Sequence, residues 1–197
     1  MDLSKYNQMR HFNATAEPQG NIKKAKGELI FVVQKHAASH LHYDFRLEIG
    51  GVLKSWAIPK GPSMNPEKKR LAILVEDHPY DYKDFEGTIP EGNYGAGTVI
   101  VWDQGTYTSI NNDRNDVTSQ LESDFAKGHL SIILKGKKLK GEFDLLKFKT
   151  KEESSWLLIK QKDQYATEDD ILKSTKSVIS NLTLEEMAHQ VNEKIKR

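Results

Sequence analysis

The segment His40-Leu-His42-Tyr-Asp44-Phe-Arg46-Leu47 puts a reactive side chain at every second position. Successive residues of a strand point to opposite faces. His40, His42, Asp44 and Arg46 therefore share one face, and Leu41, Tyr43, Phe45 and Leu47 the other. The apolar face is a core face. The polar face has none of the Thr, Ser, Lys or Glu of an ordinary solvated strand. Side chains two apart are separated by roughly 7 Å at ~3.3 Å rise per residue, so His42 and Asp44 can converge on one ion. Arg46, one step along, can hold a phosphate oxygen through its planar fork. His36 lies six residues before His42, and a bend at Ala37-Ala38-Ser39 returns it toward the same ion. Two neutral imidazoles and one carboxylate leave positions open for water and substrate on a divalent metal. The competing reading is a histidine-rich polar face in which Asp44 pairs with Arg46 or with a lysine of a neighbouring strand.

A second cluster is Glu76-Asp77-His78-Pro79-Tyr80-Asp81-Tyr82. His78 ends an apolar run just before a proline turn, where it can hydrogen-bond a phosphate oxygen or act as a general acid. A lone histidine at a turn is as readily structural. The loop Ile89-Pro-Glu-Gly92-Asn-Tyr94-Gly95-Ala-Gly97 lacks the ending of a phosphate-cradling P-loop and precedes no convincing helix. It reads as a tight turn between strands. Trp56, Trp102 and Trp156 sit in apolar runs and read as core. His11, His129 and His189 have no companions.

The elements that must position these groups are short. Apolar or alternating runs at 29–33, 41–47, 52–58, 71–75, 98–102, 130–134, 141–147 and 156–159 are each bounded by Gly, Pro, Asn or charge. Eight short strands with few helices between them predict an all-β barrel or sandwich. Residues 109–124 read as a surface loop running into a short helix over 117–127. Thr183-Leu-Glu-Glu186 matches a capping box ahead of a terminal helix over 187–196. Three segments follow: a loosely ordered leader, 1–27, contributing to the site; the β domain, 28–163; and a helical tail, 164–197.

Composition sets outer bounds. The chain has 197 residues and no cysteine, which excludes disulfides, thiolate metal sites and a cysteine nucleophile. Any metal must be held by His, Asp, Glu or water. The N-terminal residues are polar and no apolar run approaches the ~18 residues of a membrane span, so a soluble, cytoplasmic, nucleoid-associated protein is expected. The formal net charge is only +1, but residues 135–160 hold eight Lys against four acids. Lys137, Lys138 and Lys140 form either a basic patch for phosphates or a solvated strand face.

Longer stretches resemble a known family. Gln34-Lys35-His36 with His42-Tyr43-Asp44-Phe45-Arg46, and Leu53 to Ser63, resemble the 3′-phosphoesterase domain of DNA ligase D. So do Glu76-Asp77-His78-Pro79, Tyr82, Phe85-Glu86-Gly87, Ile89-Pro90-Glu91-Gly92 with Tyr94-Gly95, and Trp156 to Lys160. The likeness covers about residues 10–163. It implies a mainly β fold, a compact antiparallel β-barrel with a few peripheral short helices and a C-terminal helix. It also implies a Mn²⁺-dependent hydrolase, with Co²⁺ or Zn²⁺ as alternatives. Such an enzyme removes 3′-terminal ribonucleotides and 3′-phosphates to leave a 3′-OH. By the resemblance, His36, His42 and Asp44 hold the metal, and Arg46 and His78 grip the scissile phosphate. Gln34, Lys60, Arg70, Glu76 and Tyr82 fall at positions that support activity, and Arg10 and Glu17 fit the N-terminal element. One departure is His11, where the family carries Asp.

The partners implied are DNA or RNA–DNA primer-template 3′ ends, met by a monomer, with a separate ligase and polymerase because 197 residues leave no room for those modules. Two other readings stay open from the residues alone. One is a non-catalytic nucleic-acid-binding module using Arg46, Lys60 and the Lys137–Lys140 patch. The other is a non-haem iron oxygenase built on His42, Asp44 and His78.

Overall fold

Every apolar run marked out by the sequence forms a strand, and together they close a ring. The structure is a computed structural model that describes residues 2–22, 27–110, 116–148 and 154–195. The strands are β1 (Ile30–Ala37), β2 (Leu41–Ile49), β3 (Val52–Ile58), β4 (Arg70–Leu74), β5 (His78–Pro79), β6 (Gly87–Ile89), β7 (Gly97–Ser109), β8 (His129–Gly136), β9 (Lys140–Lys147) and β10 (Ser155–Lys160). Eight of them run β1-β2-β3-β4-β10-β9-β8-β7, and β7 pairs back onto β1, so the sheet is a closed antiparallel barrel. β5 and β6 are short additions on β3 and β7. The ring removes the exposed edges that a sheet of this size would present.

The barrel interior is filled from all eight strands. Phe31, Phe45, Trp56, Ala72, Trp102, Leu134, Phe143 and Trp156 belong to one buried cluster. All three tryptophans are at most 1% exposed, as expected of core residues. Helix α2 (Val117–Lys127) plugs one end with Leu121 and Phe125. Its bounds match the predicted 117–127. Asp116 caps its N-terminus and Gly128 its C-terminus in the left-handed conformation.

A second, smaller apolar layer lies on the outer face of β1, β3 and β7. Val32, Leu53, Val99 and Val101 of the barrel meet Leu3, Tyr6, Tyr82, Phe85 and Ile89 of the covering segments. Those segments are the leader, a 3₁₀ turn at Tyr80–Asp84 and β6. The described part of the leader, residues 2–22, is therefore not loosely ordered. It starts with helix α1 (Ser4–Gln8), and Tyr6 is fully buried with its hydroxyl donating to Pro18 O at 2.7 Å. The leader's Lys23, Lys24 and Lys26, and residues 111–115 of the predicted surface loop, lie outside the described residues.

The tail folds back on the barrel. Trp102 Nε1 donates to Ser174 O at 2.5 Å, and Val178 N donates to Val101 O at 2.9 Å. Lys137 Nζ donates to Val178 O and Lys138 Nζ to Lys176 O, while the Lys138 ammonium lies 4.5 Å from the Trp102 ring centre. Two of the three lysines read as a possible phosphate patch thus hold the tail instead. Helix α3 (Leu184–Ile195) starts on the expected capping box, with Thr183 N donating to Glu186 Oε2 and Glu186 N to Thr183 Oγ1. Its Leu184 and Met187 pack on Ile100 of β7. No helix among the described residues is long and apolar enough to cross a membrane.

Candidate metal centre and phosphate pocket

The polar face of β2 looks away from the barrel interior, into the layer roofed by the leader. His36 and His42 are direct cross-strand partners in the β1–β2 hairpin. No bend at 37–39 is needed, because Ala37 is still in register with Leu41 and the turn occupies only 38–40. The two imidazole centres are 4.8 Å apart. Asp44, the next residue on the same face, reaches both: His36 Nδ1 to Oδ2 is 3.7 Å, and His42 Nε2 to Oδ1 is 3.7 Å.

The other ring nitrogens settle the tautomers. His36 Nε2 is 3.0 Å from Gly95 O, and His42 Nδ1 is 2.9 Å from His40 O. A carbonyl only accepts, so each of these nitrogens carries the proton and donates. The lone pairs are thereby left on His36 Nδ1 and His42 Nε2, both facing Asp44. Such outer partners orient metal-ligating histidines in known metal sites. Two atoms each ~2.1 Å from one ion can be at most about 4.2 Å apart; the two imidazole–carboxylate separations of 3.7 Å lie inside that limit, and the trio as a whole, within 4.8 Å, has to draw in slightly to share one ion. Among the described residues, this trio is the group of His, Asp and Glu positioned for a metal, its ligand atoms all within 4.8 Å of one another. Burial alone would raise the Asp44 carboxyl, but the Arg46 guanidinium beside it overrides that and holds Asp44 well below the usual carboxylate range. A permanently ionised carboxylate suits a cation.

Arg46 follows on the same strand, 3% exposed. Its Nε donates to Gln34 Oε1 at 2.8 Å and one terminal nitrogen to Asp44 Oδ2 at 3.1 Å. Gln34 is itself fixed, its amide donating to the carbonyls of Tyr82 and Phe85 at 3.0 Å each. The remaining terminal nitrogen of Arg46 is buried with no partner. An unpaired buried N–H on a cation is costly, and an anion entering the chamber would satisfy it.

His78 faces Arg46 across the same chamber, but not as a cation. Its Nδ1–H donates to Glu76 O at 3.0 Å, and Nε2 lies 3.1 Å from a terminal nitrogen of Arg10. Arg10 can only donate, so Nε2 is the acceptor and the ring is neutral. Burial, then Arg46 and Arg10, push the imidazole well below its usual value. His78 therefore presents Nε2 as an acceptor that Arg10 occupies. It also stands apart from the His36, His42 and Asp44 trio, so the oxygenase triad of His42, Asp44 and His78 is not assembled.

The leader supplies Arg10. Its Nε donates to Glu17 Oε1 and a terminal nitrogen to Glu76 Oε1, both at 3.1 Å. Tyr82 OH donates to the same Glu17 oxygen at 3.0 Å. Tyr6 buttresses the set, with Arg10 3.9 Å above its ring and His78 5.1 Å from it. Arg10, Glu17, Gln34, Glu76 and Tyr82 thus all join one network around the chamber. Lys60 and Arg70 do not: Lys60 is exposed on the turn after β3, and Arg70 opens β4, and neither lines the chamber. His11, the departure from the family pattern, is exposed.

Two contributors carried no sequence signal of their own. Tyr6 lay in a polar leader, where one aromatic among many polar residues was the only hint. The Gly95 carbonyl is a backbone group, and the loop read as a plain turn is one wall of the site. Gly95 has φ +75°, and its neighbour Gly97 has φ +142° with no room for a side chain, since an added Cβ would lie 2.2 Å from Ala37 O. The glycines let the loop press against the hairpin that holds His36.

Residues 34–147 match the family model described as DNA Ligase D 3′-phosphoesterase domain. The chain is 49% identical over 189 residues to the multifunctional non-homologous end joining protein LigD of Pseudomonas aeruginosa, covering 92% of this chain and 22% of that protein. It is 41% identical over 171 residues to the multifunctional non-homologous end joining DNA repair protein LigD of Mycobacterium tuberculosis, covering 86% and 21% respectively. The corresponding protein of Mycolicibacterium smegmatis is 40% identical over 164 residues. The chain thus spans about a fifth of the length of these relatives. The family match begins at Gln34, runs through the β1–β2 hairpin, Arg46 and His78, and includes Gly95: the chain belongs to the DNA ligase D 3′-phosphoesterase domain family.

Proposed function

We propose that this chain is a metal-dependent 3′-phosphoesterase of non-homologous end joining. It removes 3′-terminal ribonucleotides and 3′-phosphates from DNA ends to leave a 3′-OH for a ligase or polymerase. The observation that carries this is Arg46, with one terminal nitrogen buried without a partner, lining the same chamber as the His36, His42 and Asp44 trio. A cation site beside a vacant guanidinium donor is a place for one phosphate.

His36, His42 and Asp44 would hold the ion, with Mn²⁺ favoured by the family and Co²⁺ or Zn²⁺ compatible with the ligands. When bound, the ion supplies charge neutralisation on the phosphate and lowers the pKa of coordinated water. Arg46, braced by Gln34 and Asp44, donates to a phosphate oxygen and stabilises the charge that develops in transfer. Arg10 sits on the far side of His78 and adds positive charge without mobility, because Glu17 and Glu76 pin it. His78, held neutral, accepts a hydrogen bond from Arg10 at Nε2 and orients that guanidinium beside the pocket. The leader and the Gly95 loop limit water access.

The test uses duplex primers ending in a 3′-phosphate or a single ribonucleotide, incubated with Mn²⁺ or EDTA and resolved by length and end group. Metal-dependent conversion of both to a 3′-OH is expected. His42→Ala and Asp44→Ala should each abolish it with the fold intact. Full activity in either variant would remove the metal assignment, and salt-sensitive binding without turnover would favour a binding module.

A further inference from the structure

The chamber measures about 290 Å³. Pockets that enclose a drug-sized ligand whole run from roughly 300 to 1,000 Å³. A phosphate and part of its sugar fit; the base of a terminal nucleotide must stay at the mouth. Tyr94 stands there. It lines the chamber yet is 46% exposed, one of the few large apolar side chains so open among the described residues.

Its ring is not loose. The hydroxyl hydrogen-bonds Glu76, and the Arg10 guanidinium lies 5.4 Å from the ring centre. Both partners are buried and are themselves tied to His78 and Glu17. Tyr94 is therefore oriented by the network that surrounds the phosphate pocket. One side of the ring faces Arg10, and the rest is free. A pre-oriented aromatic surface beside a phosphate pocket is what a flat, apolar, π-bearing group would use, and base–aromatic stacking needs no particular base.

We infer that Tyr94 is a stacking platform for the terminal nucleobase of the 3′ end whose phosphate occupies the Arg46 pocket. This deepens the end-healing reading and rests on it for the position of the phosphate. The platform selects nucleotide ends over ends that have lost their base, without reading sequence.

The experiment compares two oligonucleotides that both end in a 3′-phosphate. One has an ordinary terminal nucleotide; in the other, the terminal residue is a tetrahydrofuran analogue without a base. Binding to the full chain is measured by fluorescence anisotropy in EDTA, and phosphate release separately with Mn²⁺. The wild type should bind the base-bearing end about five- to hundredfold more tightly, the range expected for one stacked base. Tyr94→Ala should bring the two within twofold, and Tyr94→Trp should keep the difference. Equal binding of both ends by the wild type, or a preference that survives in Tyr94→Ala, overturns the platform. A wild type that shows the base preference in binding but releases no phosphate supports the platform and refutes the phosphoesterase reading instead.

Discussion

Arg46 is fixed by Gln34 and Asp44 and short of one partner, which is the condition of a group built to receive an anion. A lysine would keep the charge but lose the fork that both braces need. Arg46→Lys should lower the rate of phosphate release by about 10²–10³, the loss typical of one transition-state donor, with a thermal midpoint close to the wild type. His78 yields a prediction about pH. Its native pKa lies well below its ordinary value, so below about pH 6.5 the unfolded chain takes up a proton that the native imidazole refuses. Stability must then fall as pH falls through that window, by up to about 1.4 kcal/mol per pH unit. Asp44 adds nothing to that slope, because a depressed carboxyl loses its contribution only below its unfolded value near 3.9. Urea midpoints at pH 7.5, 6.5 and 5.5 should converge for wild type and His78→Gln, and parallel lines would show that His78 is not held neutral. At this scale the sequence was readable wherever side chains alternate on one strand. It was silent on His78's protonation, because Arg10 and Arg46 reach it only through the fold.

The β1–β2 hairpin and the 90–97 loop act as a pair. The hairpin presents His36, and the loop's Gly95 carbonyl fixes which nitrogen of His36 is free. Gly97→Ala drives a methyl group into Ala37 O and should push the loop off the hairpin. Calorimetric titration with Mn²⁺ should then show affinity reduced about 10- to 100-fold, the usual cost of losing an outer partner of a metal ligand. Gly87→Ala is the control: its φ of +147° strains an alanine similarly, but nothing lies within 4 Å of the added carbon. Equal losses in the two variants would mean that backbone strain, not the Gly95 contact, is responsible. Strand positions were legible because apolar runs and alternation mark them. Their lengths were less so: β7 continues from the predicted 98–102 to Ser109, through Asp103, Gln104 and Gly105. Those residues have no apolar period, and pairing with β1 and β8 is what extends them. The leader's order was hidden for a similar reason, since Tyr6 finds its apolar partners 70 or more residues away in His78 and Tyr82.

For the whole molecule, the ring and the tail divide the labour. The tail covers Trp102, Tyr43 and Ile100, with Leu172 against Gly61 and Tyr43 and with Leu184 and Met187 on Ile100. Leu184 and Met187 are buried, Leu172 partly so, and a fully buried side chain of this size is worth about 1.5–3 kcal/mol. Cutting the chain after Asp170 should therefore lower the thermal midpoint by about 10 °C or more at 2–4 °C per kcal/mol, measured by calorimetry. A midpoint unchanged within 2–3 °C would make the tail an ornament of the barrel. The basic patch was misread in the sequence because its partners, Lys176 O and Val178 O, are backbone atoms some 40 residues further on. The hairpin that carries the proposed metal trio bears on the order in which the molecule assembles. All three proposed ligands fall within residues 36–44, whereas closing the ring joins residue 34 to residue 101. Short loops close at lower entropic cost than long ones, and long-range pairings come late. The chelating trio can gather while the ring is still open, so a divalent ion should act as a folding template: stopped-flow refolding should be faster with Mn²⁺ than with EDTA. An ion that recognised only the finished barrel would leave refolding unchanged and merely slow unfolding.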